Sequence, residues 1–252
     1  MNKGEGKEDP IKSVSNGEWE ALSKTRIYFG HQSVGNNMLE GIKEVAQTDN
    51  QIQVNIVEDN STNAHNGRVF LHGLIGNNGA PESKMASFAS KITPEGKFDI
   101  VMMKFCYVDF NESSNVQDIF SRYVKLADDI KKKIPGIRIV HVTVPLTSNH
   151  PNWKYTIKKL LGVKDPELEA NARRNQYNSM LIREYSGKDP VFDLATLEST
   201  LPDGRRMEFQ YGGVTVKYLA PQYTYDGGHL NKVGRREVSK ASLVFLAKLA
   251  GM

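Results

Sequence analysis

The chain contains a single cysteine, Cys106, among its 252 residues. One thiol excludes an internal disulfide, and it also excludes a zinc site built on several thiolates. The redox compartment of the protein is therefore left undetermined by its cysteine content. Neither a metal nor a cofactor is predicted from the rest of the sequence.

Long apolar runs are also lacking. No stretch approaches the roughly 18 apolar residues of a membrane-spanning helix. The first fifteen residues, MNKGEGKEDPIKSVS, lack the apolar centre of a signal peptide. The sequence predicts a soluble chain with no membrane span, either cytoplasmic or exported with its signal removed, and in the second case the polar opening is a tether.

A strong charge imbalance is missing as well. Lys and Arg total 33 against 29 Asp and Glu, which gives a formal net charge of +4. The basic residues are scattered apart from the run at 131–133, which suits the last turn of a helix. This pattern gives weak attraction to anions and no case for a nucleic-acid partner.

What the sequence does have is a regular alternation of short apolar runs and helical patterns. Nearly continuous apolar strands are typical of a parallel sheet covered by helices on both faces. The alternation predicts an α/β fold, a three-layer α/β/α sandwich with a central parallel sheet of about five strands. The predicted strands are RIYFG, IQVNIVED, FDIVMMKFCYV, IRIVHVTVP and VFDLA, and the predicted helices cover about 34–46, 81–92, 116–134, 166–185 and 238–250.

Three further segments interrupt or flank this alternation. Residues 60–79 are predicted to be a long polar excursion, and residues 149–165 a polar and aromatic insertion. Residues 207–219 are predicted to be a hairpin that turns at Gly212 and Gly213. We expect a polar N-terminal extension over residues 1–22 and a single domain over residues 23–252.

Ser33, in the segment IYFGHQSVGNN, directly follows the first predicted strand. Ligands of open parallel sheets collect at the carboxyl ends of the strands. A serine that enters a helix there has free backbone N–H groups around it, which suit a developing oxyanion. A simple helix N-cap explains the same position.

Asp226 and His229, in the segment YDGGHLN, are separated by two glycines in a turn before the last helix. Such a turn brings a carboxylate to an imidazole. The carboxylate then fixes the tautomer of the ring, and the other ring nitrogen is left to take a proton from a serine. The alternative for this pair is a turn followed by a helix cap.

At these residues the chain resembles the SGNH hydrolase superfamily, the GDSL-type esterases and lipases. Ser33 in GHQS corresponds to the nucleophile block of that family, and Asp226 and His229 in DGGH correspond to its last block. The resemblance implies a flavodoxin-like SGNH hydrolase fold and a catalytic triad of Ser33, His229 and Asp226. It extends over most of the chain, although the first block is degenerate.

The same resemblance implies two oxyanion donors, a backbone glycine in a second block and an asparagine side chain in a third. Gly79 in GNNGAP is our choice for the glycine, with Gly76 as the competitor. In the third block, alignment places Cys106 at the family's Gly, Val108 at its Asn and Asp109 at its Asp. The usual side-chain donor is therefore missing.

Several residues are candidates to replace the missing donor. They are Asn36 or Asn37 after the nucleophile, Asn77 or Asn78 beside Gly79, and Lys104 at the end of the third strand. Lys104 interrupts an apolar strand, and its alternative role is an ion pair with Asp109 or Glu82.

His31 and Cys106 invite other mechanisms. His31 lies two residues before Ser33 and is a second candidate base, but we favour a structural or substrate-contact role for it. Cys106 admits a thiol mechanism with His229, yet a lone cysteine on so apolar a strand is usually inert core.

These residues predict a serine ester hydrolase that removes a short acyl group from a polar alcohol such as a carbohydrate. The expected partner is a small-molecule or carbohydrate ester. Two alternatives stay open, a non-catalytic glycan-binding protein on the same scaffold and an O-acyltransferase that uses the same residues.

Overall fold

A computed structural model describes residues 9–59, 68–150 and 165–252. Its centre is a sheet of six parallel strands in the order β2-β3-β1-β4-β5-β6. A separate antiparallel hairpin consists of β7 and β8. The strands are β1 (Ile27–His31), β2 (Ile56–Glu58), β3 (Phe70–Leu74), β4 (Ile100–Met103), β5 (Arg138–Val142), β6 (Val191–Phe192), β7 (Glu208–Tyr211) and β8 (Val214–Lys217).

Helices cover both faces of the sheet. Alternate residues of each central strand point into two separate apolar layers, as the period of two of a strand requires. Helices α1, α2, α6 and α7 close one layer, and α3, α4 and α5 close the other. The α-helices are α1 (Asn16–Lys24), α2 (Ser33–Ala46), α3 (Pro81–Lys91), α4 (Val116–Lys133), α5 (Pro166–Tyr185), α6 (Leu194–Ser199) and α7 (Lys232–Ala250). The predicted three-layer sandwich is confirmed.

The sheet has a strand that the sequence reading missed. Strand β3 lies inside residues 60–79, which were predicted to be a polar excursion, and it pairs in parallel with the whole of β1. Its apolar signal is short, because His72 and Gly73 interrupt it after Phe70 and Leu71. Residues 60–67 of the excursion and residues 151–164 of the predicted insertion lie outside the described residues.

The fifth predicted strand, VFDLA, is only partly a strand. Pairing with β5 ends at Phe192. Asp193 then accepts a hydrogen bond from the N–H of Thr196 and caps helix α6. An aspartate directly after a short apolar run is a helix-start signal, and here it overrides the apolar pattern of Leu194 and Ala195.

The described part of the predicted N-terminal extension packs on the domain. Helix α1 begins with a capping box between Ser15 and Glu18. Trp19 and Leu22 are buried in the same apolar layer as helix α7. The domain boundary at residue 22 stays a prediction, but residues 9–22 are not a free polar tail.

The predicted hairpin of residues 207–219 is present as strands β7 and β8. The hairpin turns at Gly212 and Gly213, which both have positive φ, the conformation that favours glycine. Helix α7 begins at Lys232, six residues before the predicted start, because Asn231 caps it by accepting from the N–H groups of Val233 and Gly234. In the described ranges, no helix is long and apolar enough to cross a membrane.

Candidate active site

Ser33 stands at the junction of strand β1 and helix α2. Only Gln32 separates the two elements, and it is extended, with φ −135°. The helix can start so close to the strand because position 35 is a glycine: a Cβ there would lie 2.3 Å from the Cβ of His31. The tight junction places the Ser33 hydroxyl at the carboxyl end of a central strand.

The junction is tied to the loop that follows β3. The side-chain amide of Gln32 donates to the carbonyls of Ile75 and Gly76, at 2.8 and 3.0 Å. The N–H of Ile75 donates back to the carbonyl of His31 at 3.1 Å. The loop carrying Gly76 is therefore tied to the residue that directly precedes Ser33.

His229 and Asp226 complete a chain of hydrogen bonds that starts at Ser33. The Oγ of Ser33 lies 3.0 Å from Nε2 of His229. Nδ1 of the same ring lies 2.6 Å from Oδ2 of Asp226. The arrangement is that of a nucleophile, a base and an orienting carboxylate, and both contacts are within the range in which such groups exchange protons.

Asp226 is held in its ionised form. Burial by itself would raise its pKa, but this effect is outweighed by the backbone N–H groups of His229 and Gly228 and by the imidazole. The two N–H groups donate to Oδ1 at 2.8 and 3.0 Å, which leaves Oδ2 for the ring. The net result is a pKa of Asp226 well below its ordinary value, so the carboxylate is present at neutral pH.

The loop of Asp226 and His229 is anchored on both sides. The side-chain oxygen of Asn37, on helix α2, accepts from the N–H of Leu230 at 3.2 Å. The carbonyl of Gly227 accepts from the N–H of Ser148 at 2.8 Å. These contacts fix the loop to the element that carries Ser33 and to the segment that follows β5.

Two tyrosines flank the imidazole of His229. The ring of Tyr107 meets it edge-on, with centroids 5.8 Å apart and planes at 79°. The ring of Tyr225 lies nearly parallel to it, with centroids 6.3 Å apart and planes at 14°. Tyr225 is 72% exposed, so its face is open to a ligand. Desolvation raises the pKa of Tyr107 above its ordinary value, and the phenol stays protonated.

The position predicted for the second-block donor needs a correction. The N–H of Gly79 already donates to Oδ1 of Asp109, at 2.8 Å, so it is not free for an oxyanion. Within the described part of the chain, the N–H groups of Gly76 and Ser33 make no hydrogen bond. Gly76, the competitor, is also the glycine whose carbonyl is tied to Gln32.

Asp109 forms a buried ion pair with Lys84, and the side chain of the exposed residue Asn78 contacts that pair. Nζ of Lys84, on helix α3, lies 2.6 Å from Oδ2 of Asp109, and both side chains are fully buried. The same ammonium donates to the side-chain oxygen of Asn78 at 3.0 Å. Asp109 also accepts from the N–H of Cys106 at 2.6 Å. The group joins the loop after β3 to the loop after β4.

Lys84 has no role in the sequence prediction, in which Asp109 and Glu82 are the possible partners of Lys104. The signal was present, because Lys84 lies four residues before Phe88 and so on the apolar face of helix α3. A lysine on such a face must find a charge or a polar cavity. In the tertiary structure, Lys84 and not Lys104 is the partner of Asp109. Lys84 precedes the buried Met85 in the sequence.

Lys104 is fully buried, and its Nζ donates to the carbonyl of Phe105 at 3.0 Å. Desolvation lowers the pKa of Lys104, and Lys84 lowers it further. An ammonium that is closed off in this way does not reach an exposed oxyanion. The role of Lys104 as replacement donor and its predicted pairing with Asp109 are therefore not supported by the geometry.

His31 is also fully buried, and both of its ring nitrogens contact groups other than Ser33. Its Nδ1 contacts the carbonyl of Gln32 at 2.9 Å, and its Nε2 lies 3.1 Å from Nδ1 of His72. Desolvation lowers the pKa of His31 to about 3, so the ring is neutral. The contacts agree with a structural role and not with a second base.

Three further positions of the sequence prediction are Asn36, Val108 and Cys106. Asn36 is exposed on helix α2, and in the described ranges no hydrogen bond joins its side chain to Ser33 or His229. Val108, at the position of the family's asparagine, is 41% exposed. Cys106 is a buried free thiol.

No group of three or more His, Cys, Asp or Glu residues that could hold a metal ion is found among the residues the structure describes.

Comparison with known proteins gives a result only at the level of structure. No protein-family profile matches the sequence, and no curated protein matches it. Among solved structures, the chain is similar to a candidate platelet activating factor from Streptococcus pneumonia, at 11% identity and a TM-score of 0.51 over 94% of each chain.

A second similar structure is that of a candidate lipolytic protein of the G-D-S-L family from Desulfitobacterium hafniense. The identity is 11% and the TM-score 0.50, over 88% of this chain and 99% of that one. Likeness at such low identity shows a shared fold. The α/β sandwich described above is accordingly an SGNH hydrolase-like fold.

Proposed function

We propose that the chain is a serine ester hydrolase with Ser33 as nucleophile, His229 as base and Asp226 as orienting acid. The observation that carries the proposal is the continuous contact from Ser33 Oγ through His229 to Asp226, at 3.0 and 2.6 Å. Ser33 and His229 are 196 positions apart in the sequence, yet the three side chains form one continuous series of hydrogen bonds. A helix cap and a turn would not require that alignment.

The geometry supports a two-step reaction. Oγ of Ser33 attacks the ester carbonyl while Nε2 of His229 takes the hydroxyl proton. The imidazolium then gives that proton to the departing alcohol, which leaves an acyl group on Ser33. Water activated by the same nitrogen releases the acid. Asp226 stays ionised throughout and stabilises the charged ring.

We assign the oxyanion to the backbone N–H groups of Ser33 and Gly76. The first lies in the opening turn of helix α2, where the helix dipole favours negative charge. The second belongs to the loop held beside Ser33 by Gln32. Val108 offers no side-chain donor, and a lost donor of this kind costs about 2.7 to 4 kcal/mol of transition-state stabilisation. We therefore expect a modest catalyst.

A short acyl group on a polar alcohol, such as a carbohydrate, is the substrate we favour. The exposed amide of Asn36 and the open face of Tyr225 offer polar and stacking contacts for a sugar-like alcohol. The exposed side chain of Val108 offers an apolar contact about the size of a short acyl chain.

The test is turnover of p-nitrophenyl acetate by the wild type, by Ser33→Ala and by Ser90→Ala. Ser90 is an exposed serine of helix α3 and serves as the matched control. We expect Ser33→Ala to lose at least about 10³-fold in kcat, and Ser90→Ala to match the wild type. Wild-type turnover by Ser33→Ala would disprove the assignment.

A non-catalytic glycan-binding protein is the second candidate, and the valine at position 108 favours it. Covalent labelling with a fluorophosphonate separates the two. Labelling at Ser33, located by mass spectrometry, supports hydrolysis. An unlabelled Ser33 in a folded protein that binds oligosaccharides supports the binding function. Addition of an alcohol acceptor to the same assay distinguishes hydrolysis from O-acyl transfer, because a transferase yields a new ester.

A further inference from the structure

Helix α5 carries a stripe of buried polar side chains on the face that packs against the sheet. The stripe consists of Asn171, Arg174 and Asn178, which are 0%, 3% and 5% exposed. Their spacing of three and four residues places them on one side of the helix. Polar side chains inside an apolar layer must form hydrogen bonds with other buried groups, because burial of an unpaired polar group destabilises the folded protein.

Each member of the stripe bonds to a segment at the carboxyl edge of the sheet. Asn178 bonds to both the N–H and the carbonyl of Val144, at 2.7 and 2.9 Å. Asn171 does the same for Thr147, at 3.2 Å in both cases. The helix thus replaces strand pairing where strand β5 has ended.

Arg174 reaches furthest toward the candidate active site. Its Nε donates to the carbonyl of Tyr107 at 2.8 Å, and its Nη2 donates to the carbonyl of Phe110 at 3.2 Å. Its Nη1 donates to the hydroxyl of Thr147 at 3.0 Å and to the side-chain oxygen of Asn171 at 3.3 Å. One guanidinium therefore holds both ends of the turn after β4 and the segment after β5.

All four acceptors are neutral oxygens. Desolvation lowers the pKa of Arg174 to about 10, so the group stays charged at neutral pH. The contacts depend on the planar fork of five donors, which a lysine ammonium does not reproduce. The hydrogen bonds of Arg174 therefore fix the positions of its acceptor groups more than they neutralise a negative charge.

Both segments held by Arg174 touch the imidazole loop. Tyr107 lies edge-on to the ring of His229, and its hydroxyl lies so close to Gly228 that a Cβ there would be 2.8 Å from it. Next to Thr147, the N–H of Ser148 donates to the carbonyl of Gly227. The turn that carries Asp226 and His229 is thus supported from two sides by segments that meet at Arg174.

We propose that Arg174 is a positioning residue, which sets the orientation of His229 through Tyr107 and through the Ser148–Gly227 contact. Its catalytic consequence rests on the proposed function of Ser33 and His229. Arg174 touches neither residue in its hydrogen bonds, so its effect reaches the ring only through the two segments.

The test compares Arg174→Lys with Arg173→Lys. Arg173 is the neighbouring arginine of the same helix, paired with Glu169 at 3.2 Å on the outer side. A displacement of a catalytic group by about 1 Å can cost about 10²-fold in rate. We expect Arg174→Lys to lose about 10- to 100-fold in kcat with little change in KM, and Arg173→Lys to match the wild type.

Thr147→Val gives a milder perturbation that keeps Arg174 in place. It removes the hydroxyl acceptor of Nη1, and we expect a smaller loss of kcat. Because both changes act through one contact, the double variant with Arg174→Lys should lose less than the product of the two single losses. Fully multiplicative losses would overturn the shared route.

A readout that does not need turnover is the proton NMR signal of the His229 Nδ1–H, which bonds to Asp226. We expect this signal to move in Arg174→Lys and to keep its position in Arg173→Lys. An unmoved signal and wild-type kcat in folded Arg174→Lys would overturn the proposal. Absence of both turnover and fluorophosphonate labelling in the wild type would disprove the proposed function alone, since the NMR comparison would still decide the role of Arg174.

Discussion

At the scale of single residues, Asp226 has two separable tasks. Its Oδ1 closes the turn by accepting two backbone N–H groups, and its Oδ2 orients the imidazole. Because its pKa is lowered, its protonation does not limit activity near neutral pH. An amide at this position keeps the shape of the turn but offers the ring a donor where it needs an acceptor.

We therefore predict that Asp226→Asn folds normally and loses about 10⁴-fold in kcat, because the wrong tautomer of His229 is favoured. Steady-state kinetics with p-nitrophenyl acetate measure the loss, and circular dichroism checks the fold. Asp203→Asn is the control, since Asp203 is an exposed aspartate paired with Arg205. A loss of less than tenfold in Asp226→Asn would contradict the orienting role.

At the scale of elements, two contacts decide how loops and helices meet at the site. The first is the packing of helix α2 over strand β1 at Gly35, where there is no room for a Cβ. The second is the buried pair of Lys84 and Asp109, which joins helix α3 to the loop after β4.

Gly35→Ala should destabilise the protein by about 1 to 3 kcal/mol, because the new methyl group overlaps His31 and must push the helix away. The same shift moves Ser33, so activity should fall with stability. Urea unfolding followed by tryptophan fluorescence measures the change. Gly17→Ala lies in helix α1, where no atom of the described residues is within 4 Å of the added Cβ, and it should instead be neutral or gain up to about 1 kcal/mol. Equal stability of the two variants would refute this account of the junction.

Lys84→Met should cost about 3 to 5 kcal/mol of unfolding free energy, because it leaves the carboxylate of Asp109 buried without its cation. Lys91→Met, at the end of the same helix, removes a partly exposed pair with Asp59 and should cost less than about 1 kcal/mol. Chemical denaturation of both variants measures the difference. If both variants lost a similar amount of unfolding free energy, the buried ion pair would stabilise the protein no more than the partly exposed pair does.

At the scale of the whole molecule, charge burial makes stability depend on pH. Glu198 is fully buried, and one of its oxygens accepts from the N–H of Leu146. Among the residues that the structure describes, its Oε2 has no hydrogen-bond partner. Burial raises the pKa of Glu198 to about 8, even though that N–H and Lys104 act in the opposite direction. The folded protein therefore keeps a proton on Glu198 at a pH where the unfolded chain has released it.

The sign of the effect follows from proton binding. Between the ordinary glutamate pKa and about 8, the folded state binds more protons, so raising the pH reduces stability. We predict that Glu198 contributes a slope of up to about 1.4 kcal/mol per pH unit in this window. Glu198→Gln, which cannot ionise, should flatten the decline measured by urea unfolding between pH 5 and pH 8. An unchanged slope in that variant would refute the raised pKa.

Much of the site was predictable because it is encoded locally. The spacing of Asp226 and His229 in a glycine-rich turn already brings the carboxylate to the ring. Ser33 follows a strand and opens a helix, which predicts its place at the carboxyl edge of the sheet. The alternation of apolar runs predicts the three layers.

Other features depended on which segments pack together, and local patterns do not record this. Strand β3 was missed because its pairing with β1 compensates for a weak apolar pattern. The choice of Lys84 over Lys104 as partner of Asp109, and of Gly76 over Gly79 as a free N–H, depends on how the loops after β3 and β4 meet.

The sequence by itself determined the fold class and the order of most elements, because periodicity acts over a few positions, and its resemblance to the SGNH hydrolases named the three residues of the candidate triad. The tertiary structure alone decided that Oγ of Ser33 lies 3.0 Å from Nε2 of His229, although the two residues are 196 positions apart in the sequence. It also decided that Arg174 holds the segments around them. Such contacts depend on desolvation and on the packing of segments that are distant in the sequence. The pattern of residues along the chain does not give the distance in space between those segments.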